Sequence, residues 1–223
     1  MPVSTERFFS GMGMNVLELF SGSGSVGKSF THYGASVTSL DIDPKTDAII
    51  KEDILTWDYT VFPPGFFDVV WASPVCTQYS IARRNAKTPR NLDWADTLVK
   101  KSLEIIQYFQ PRVWFIENPA SGMLKDRPFM EGLPFSDVDY CRYCDWGYRK
   151  RTRLWNNCGF VGQLCGGPGV CPSMEGGRHK TSAQQGRNRT SSGMHGEHHS
   201  TRQLYRIPEQ LCDQIVTSCI TVL

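Results

Sequence analysis

Four short apolar segments recur through the first 119 residues, and each ends at a glycine-rich, acidic or proline-containing turn. They cover residues 15–20, 36–40, 67–72 and 113–116. Helical patterns lie between them, because residues 25–33 suit a helix closed by Gly34 and residues 93–109 have an apolar stripe. Short buried strands that alternate with helices predict an α/β fold with a doubly wound, largely parallel, Rossmann-like sheet.

The composition of the chain changes after Trp155. Residues 156–200 are rich in Gly, Ser, Cys, His and Arg and poor in aliphatic side chains. Such a stretch buries little apolar surface, so it needs a metal, a partner or the main domain to order it. Residues 207–223 again have a helical pattern and are expected to pack on the core. We therefore predict a main domain over residues 1–155, a small insert over 156–203 and a C-terminal helix over 204–223.

Basic residues are concentrated in the second half of the chain. Between Arg142 and Arg206 there are eleven basic and three acidic side chains, a net charge of +8 in a chain whose total is +2. This asymmetry predicts a polyanionic partner, although a solvated basic surface is an alternative. No segment approaches the roughly 20 apolar residues that span a bilayer, so no membrane partner is expected. Eight cysteines without a secretory signal indicate a reducing, cytoplasmic compartment.

The first predicted strand runs directly into a glycine-rich turn at residues 21–27. A strand, a glycine turn and a helix allow a ligand to approach the backbone and its free N–H groups closely, although a tight turn without a ligand is the alternative. Asp41, at the end of the next strand, can bind ribose hydroxyls, and Asp53 is placed to accept from an adenine amino group. Since phosphate-loop and dinucleotide glycine patterns are missing, a nucleoside without pyrophosphate fits better than ATP or NAD.

Three further groups follow the later strands. Cys76 lies in the proline-containing loop after the third strand and is a candidate nucleophile, although free cysteine is often simply buried. Glu117 ends the fourth strand, where an apolar sheet can raise the pKa of a carboxyl group and let it donate a proton at neutral pH. Arg151 and Arg153 lie on one face of an extended segment, because strand side chains alternate.

The motifs FSGSGS, DID, SPVC, ENP and RxRxR, in this order over residues 16–155, resemble the series of the cytosine-C5 methyltransferases, with a weaker similarity at Ile207-Pro208. The resemblance implies S-adenosylmethionine as cofactor and double-stranded DNA as partner. It also implies that Cys76 attacks C6 of a flipped cytosine, that Glu117 protonates or hydrogen-bonds N3, and that Arg151 and Arg153 hold the base O2 and the loop. The cofactor contacts that it implies are Phe20, Ser21, Gly22, Gly24, Asp41, Asp53 and Pro74.

The chain departs from this pattern in four respects. Val75 replaces a proline before the nucleophile, Arg149 replaces a glutamine, a Gly-Asn pair near Ile207 is missing, and the recognition region is short, as in compact phage and viral methylases. RNA, particularly tRNA, is an alternative substrate because a related branch uses the same motifs. A catalytically inactive nucleic-acid-binding homologue is a second alternative. An amino methylase is disfavoured because Pro74-Val75-Cys76 occupies the place of its motif. A monomer is expected from comparable enzymes.

Cysteines and one histidine cluster in the insert. Cys158, Cys165, Cys171 and His179 lie within 22 residues that contain few hydrophobic side chains, which predicts a tetrahedral zinc site. Scattered free thiols, or a mixed set that uses Cys144, are alternatives. Zinc would order a small target-recognition region that presents basic residues to phosphates and bases. These basic residues are Arg178, Lys180, Arg187 and Arg189.

Overall fold

The computed structural model of the chain describes residues 13–81, 83, 86–183 and 201–223, without the side chains of residues 201 and 202. Its main feature is a six-stranded sheet. The strands are β1 (Asn15–Leu19), β2 (Ser36–Leu40), β3 (Val69–Ala72), β4 (Val113–Pro119), β5 (Phe135–Asp139) and β6 (Arg151–Asn156). Their order is β2-β1-β3-β4-β6-β5, with the first four parallel and β6 antiparallel to both neighbours. The predicted doubly wound, largely parallel α/β fold is confirmed.

Helices cover the two faces of this sheet. The helices are α1 (Ser25–His32), α2 (Leu92–Phe109), α3 (Thr201–Tyr205) and α4 (Glu209–Val222). Alternate residues of each strand enter different cores, because side chains on a strand point to opposite faces. Val70 and Ile116 pack with the buried side of α2, whereas Val69 and Phe115 pack with α1 and α4.

The C-terminal segment runs back over the start of α1. Leu211, Ile215 and Cys219 of α4 are fully buried in the core that includes Phe30 of α1. Just before α4, the Ile207 amide donates to the Ser25 hydroxyl at 3.3 Å. This contact brings residues 205–207 to the edge of the sheet where the glycine turn lies.

Residues 157–183 of the insert lie against the edge strand β5. Phe160 is 5% exposed in the core beneath the sheet, and the Asp139 amide donates to the Gln163 carbonyl at 2.9 Å. A short antiparallel hairpin of β7 (Met174–Glu175) and β8 (Arg178–His179) follows. The main domain therefore supplies the surface on which these residues are ordered.

Strand β5 was not predicted from the sequence. Its sequence FSDVD has no apolar alternation, and Val138 is its one fully buried apolar side chain, so the hydrophobic signal is weak. The strand is held instead by pairing with β6 and by ion pairs between its aspartates and the arginines of β6. Among the described residues, no helix has both the length and the apolar character required to cross a bilayer.

Candidate active site

A cavity of about 290 Å³ lies at the carboxyl ends of β1, β3 and β4. In open α/β sheets ligands bind at this edge of the strands. The glycine turn forms one wall of the cavity, and the loop after β3 and the end of β4 form the other. The residues that matter most for its chemistry are Phe20, Ser21, Gly22, Asp41, Asp43, Pro74, Cys76, Glu117, Lys150, Tyr205 and Ile207.

The glycine turn is held open by backbone conformation. Phe20 has a positive φ of 58°, and Gly22 and Gly24 have φ values of 51° and 64°. Side chains with a Cβ rarely adopt this left-handed region, which explains the glycines. Gly24 is the N-cap of α1 and lines a second hollow of about 280 Å³, which shares Ser21 and Gly22 with the cavity. The turn thus presents backbone rather than bulky side chains to a ligand.

Asp41 fixes the turn from the neighbouring strand. Its carboxylate accepts from the Gly22 amide at 2.8 Å and from the Asp43 amide at 2.8 Å. Both Asp41 and Asp43 line the cavity, so carboxylate oxygens face the space where a ribose would lie. Asp53 differs, because it does not line this cavity and its carboxylate accepts from the Leu55 amide at 3.0 Å within its own turn. Its predicted contact with adenine stays a prediction.

Cys76 lies on a loop that is fixed on both sides. The Pro74 carbonyl accepts from the Asn118 amide group at 2.9 Å, and the Ser73 hydroxyl accepts from the Trp71 indole at 2.7 Å. Beyond the cysteine, the buried Tyr79 donates to Asp96 at 2.8 Å. Cys76 itself is half-buried and lines the cavity. These contacts hold the loop although Val75 stands where the family has a proline.

Glu117 faces Cys76 across the cavity. It is 9% exposed, and burial raises the pKa of its carboxyl group, an effect that the nearby positive charge of Lys150 opposes. Burial likewise raises the pKa of the Cys76 thiol; Glu117 raises it further and Lys150 lowers it. The thiol and the carboxyl group are therefore electrostatically linked. A proton on Glu117 removes the negative charge that disfavours the Cys76 thiolate.

The cation beside these groups is Lys150 rather than an arginine. Glu117 lies directly opposite Leu154 in the β4–β6 pair, so residues 150, 152 and 154 share its face of the sheet. Arg151 and Arg153 point to the other face. Arg151 forms an ion pair with Asp139 at 2.6 Å, and Arg153 forms one with Asp137 at 2.8 Å. Neither arginine lines the cavity, and the expectation that they hold the base stays a prediction.

Sequence reasoning also missed Glu18 and Tyr205. Glu18 is 3% exposed at the base of the cavity and accepts from the Gly27 amide at 3.0 Å; burial raises its pKa to about 7. A Cβ on Gly27 would collide with this carboxylate. The signal for Glu18 was an acidic residue within the apolar strand β1. Tyr205 gave no such signal in the sequence; its hydroxyl hydrogen-bonds to Thr77, the residue after Cys76.

A second group of reactive side chains lies outside the cavity. The ligand atoms of Cys141, Cys165, Cys171 and His179 are all within 4.8 Å of one another, and we call these residues the Cys3His group. The predicted ligand Cys158 is not among them. Its sulfur lies 3.5 Å from the Asn156 side chain, at the opposite end of β6 from Arg151. Six strand residues span about 17 Å, which separates Cys158 from the group.

The basic residues that the insert was predicted to present are only partly described. Lys180 forms an ion pair with Glu175 at 3.3 Å, with both side chains largely exposed. Arg178 lies on β8 next to His179. Arg187 and Arg189 fall outside the described residues, so their predicted contacts with phosphates and bases stay predictions.

Comparison with solved structures finds partial similarity to other proteins. An E. coli protein described as a "putative DNA modification methyltransferase encoded within prophage" gives a TM-score of 0.45 at 16% identity, over 65% of this chain and 46% of that one. The Entamoeba histolytica methyltransferase EhMeth gives 0.47 at 18% identity, over 68% and 56%. A DNMT2 mutant from Spodoptera frugiperda gives 0.46 at 15% identity, over 71% and 57%. The chain thus spans about half the length of these proteins.

Comparison with curated sequences gives a much stronger match. A scan against protein-family models found none that matches. A protein of Frog virus 3 (isolate Goorha), described as "Probable DNA (cytosine-5)-methyltransferase", is 39% identical over 224 aligned residues, which cover 92% of this chain and 100% of the viral protein. The chain belongs to the DNA (cytosine-5)-methyltransferase family.

Proposed function

We propose that this chain transfers a methyl group from S-adenosylmethionine to carbon 5 of cytosine in DNA. The observation that supports this most directly is the meeting of Cys76, Glu117 and the glycine turn at one cavity of about 290 Å³. A nucleophile, a proton donor and a nucleoside-binding turn are the three components that this reaction needs. The proposal agrees with the description of the viral relative.

Two carboxylates and the glycine turn suit the cofactor. Gly22 and Gly24 present backbone without side chains, Asp41 and Asp43 offer carboxylate oxygens for ribose hydroxyls, and Phe20 and Pro74 add apolar surface. Ser21 lines the same wall. Bound here, S-adenosylmethionine would supply an electrophilic methyl group. The protein residues would fix the nucleoside end of the ligand at the carboxyl end of β2.

Cys76 and Glu117 would activate the base together. The Cys76 thiolate forms a bond to C6 while Glu117 donates a proton to N3, so the C5–C6 double bond opens and C5 becomes nucleophilic. After C5 has gained its methyl group, loss of the C5 proton restores the double bond and expels the thiolate. Because the raised pKa of Glu117 keeps its proton available, the donor is the protonated acid. The base must leave the duplex to reach this cavity, which implies flipping.

The substrate is tested by direct comparison. The purified protein is incubated with tritiated methyl donor and either duplex DNA or tRNA, followed by bisulfite sequencing of a treated plasmid. We expect label in DNA and protected cytosines at a defined sequence. Label in tRNA alone would identify the RNA alternative, since the catalytic motifs are compatible with both. Label in neither would support the inactive nucleic-acid-binding homologue.

Replacing Asp41 with asparagine should weaken cofactor binding. The asparagine retains the size of the side chain but loses the charge that two backbone amides contact, so the glycine turn is held less firmly. We expect an increase of about tenfold in the Kd for S-adenosylhomocysteine, measured by calorimetry. Asp58→Asn, which alters a carboxylate that accepts from Thr60 in a turn outside the cavity, is the control. Equal affinities for wild type and Asp41→Asn would contradict the role of Asp41.

Lys150 should set the reactivity of the Cys76 thiol. Replacing Lys150 with glutamine removes the charge that lowers the pKa of this thiol, so alkylation of Cys76 by iodoacetamide should require higher pH. Lys150→Arg should restore the wild-type pH curve. Methyl transfer by Lys150→Gln should fall by at least about tenfold. Alkylation is quantified on the Cys76 peptide by mass spectrometry.

Arg153 provides the matched comparison for Lys150. Its guanidinium is paired with Asp137 and points away from Glu117, so Arg153→Gln should leave the alkylation curve of Cys76 in place. If the pH curve for alkylation of Cys76 shifted in Arg153→Gln but not in Lys150→Gln, the result would support the role for Arg153 that the family resemblance implies.

We also propose that the insert contains a structural zinc ion, as the sequence predicts, with ligands taken from the Cys3His group. Thiolate and imidazole ligands suit tetrahedral zinc. None of the eight cysteines forms a disulfide, which agrees with the expected reducing, intracellular setting such as the cytoplasm of a bacterium or of a cell infected by a phage or virus. The monomeric state stays a prediction.

A further inference from the structure

We infer that the Cys3His group is a zinc site that joins the insert to the catalytic sheet and holds the start of β6 beside the active site. This inference rests on the proposed zinc and the proposed methyl transfer. It goes beyond both, because Cys141 belongs to the main domain and Cys165, Cys171 and His179 to the insert. The metal would then act as a link between two parts of the chain rather than as the core of an independent insert.

Two nitrogen–sulfur distances within the Cys3His group match tetrahedral coordination of a metal ion. The His179 Nε2 atom lies 3.6 Å from the Cys165 sulfur and 3.6 Å from the Cys171 sulfur. For Zn–S bonds of about 2.3 Å and Zn–N bonds of about 2.0 Å, a tetrahedral angle places sulfur and nitrogen about 3.5 Å apart. The observed spacing therefore leaves room for one ion between the side chains.

The surroundings of the ligands also suit a metal. Cys141 and Cys171 are 3% and 5% exposed, in a region with few aliphatic side chains. The Gly167 amide points to the Cys165 sulfur at 3.5 Å, as backbone amides do around metal-bound thiolates. Three buried or half-buried thiols that meet one imidazole are better explained by a shared ion than by apolar packing.

One carboxylate connects the Cys3His group to β6. Asp139 is fully buried and accepts from the Cys165 amide at 2.8 Å. The same carboxylate accepts from Arg151 Nε at 2.9 Å and from its terminal nitrogen at 2.6 Å. Arg151 is the first residue of β6 and follows Lys150, which lines the catalytic cavity. Cys165 is therefore connected to Arg151, the neighbour of Lys150, by the hydrogen bonds that both residues donate to Asp139.

The ligand set is tested with two serine variants of the full chain. Protein is purified without chelators from zinc-supplemented cultures, and bound zinc is measured by mass spectrometry. We expect about one zinc per wild-type chain, a fall of at least about tenfold in bound zinc in Cys141→Ser, and full retention of zinc in Cys158→Ser, the matched control. Retention in Cys141→Ser with loss in Cys158→Ser would overturn the ligand set. A zinc-free, folded wild-type protein would overturn the zinc proposal itself.

Cobalt substitution in the wild-type protein tests the metal site even if Cys141→Ser does not fold. Wild-type protein is stripped of metal and reloaded with Co²⁺, whose visible bands report coordination geometry and thiolate ligation. Tetrahedral bands with thiolate charge transfer are expected for three sulfurs and one nitrogen. Octahedral bands without thiolate charge transfer would contradict the site.

The link to the active site is tested by removing zinc from wild-type protein. Covalent trapping with 5-fluorocytosine DNA should slow by at least about tenfold, whereas affinity for S-adenosylhomocysteine should stay within about twofold. Zinc addition should restore trapping. An unchanged trapping rate after metal removal would overturn the link while leaving the zinc site intact. No trapping by the zinc-loaded protein would instead contradict the proposed function.

Discussion

Replacing Cys76 with serine is expected to abolish methyl transfer to cytosine, with a fall in kcat of at least about a thousandfold. A hydroxyl is a far weaker nucleophile than a thiolate near neutral pH, and Lys150 cannot compensate for the much higher pKa of an alcohol. Steady-state transfer of tritiated methyl groups to DNA measures the change. Binding of S-adenosylhomocysteine should stay within about threefold of wild type, because the glycine turn and Asp41 are untouched.

Cys144→Ser is the matched control for this substitution. Cys144 lies outside the cavity, and its sulfur donates to the Tyr140 carbonyl at 3.2 Å, a hydrogen bond that serine can replace. We expect activity within about threefold of wild type for this variant. If Cys76→Ser kept methylating carbon 5 at a comparable rate, the cysteine would not be the nucleophile.

Replacing Glu117 with glutamine is expected to reduce kcat by about a hundred- to ten-thousandfold, the usual contribution of a positioned proton donor. The amide can still donate a hydrogen bond to a base nitrogen, but it cannot transfer a proton. Single-turnover methylation separates this effect from product release. The rate in wild type should fall as pH rises through the raised pKa of Glu117, because the protonated donor is lost. This alkaline decrease should disappear in the variant.

Stability distinguishes a chemical role for Glu117 from a folding defect. A carboxyl group whose pKa is higher in the folded protein stabilises the fold below its unfolded pKa, and this contribution is lost as pH rises through the folded pKa. Glutamine has no charge to bury, so Glu117→Gln should be at least as stable as wild type at alkaline pH. Glu131→Gln, which alters an exposed carboxylate, should change neither stability nor rate. A variant that is less stable and fully active would contradict this assignment.

Most of the parallel half of the sheet was predictable from apolar runs. β1, β2 and β3 fall within the predicted segments, whereas β4 starts at the predicted residue but continues beyond residue 116 to Pro119. β3 is buried along its whole length, and such strands read as continuous hydrophobic runs. β5 was not predictable, because its buried positions include Asp139, which is stabilised by Arg151 across the strand pair. Such an ion pair leaves no apolar periodicity in the sequence.

The candidate active site was predictable in part. Motif order identified Cys76, Glu117 and the glycine turn, and the fold places them at the same edge of the sheet. The alternation of side chains along a strand indicated that Arg151 and Arg153 lie on the same face of the sheet, but it does not identify that face. That choice depends on the register of β6 against β4, which places Lys150 beside Glu117 instead.

The membership of the Cys3His group was also only partly predictable from the sequence. Sequence proximity favoured Cys158, which lies seven residues before Cys165, over Cys141. In the fold, β6 carries Cys158 to the far end of the sheet, while the end of β5 brings Cys141 to the loop that contains Cys165. Sequence distance therefore favoured a cysteine that lies away from the Cys3His group, because the intervening strand β6 separates Cys158 from Cys165 in the fold.

The central claim is that the Cys76 sulfur attacks cytosine, and covalent trapping tests it most directly. DNA that contains 5-fluorocytosine at the methylated site is incubated with protein and methyl donor, and the cross-linked peptide is identified by mass spectrometry. Fluorine at C5 blocks the final elimination, so the thioether to C6 should persist. We expect an adduct on the peptide that contains Cys76. An adduct on another cysteine, or steady methylation of normal DNA without any adduct on the fluorinated DNA, would contradict it.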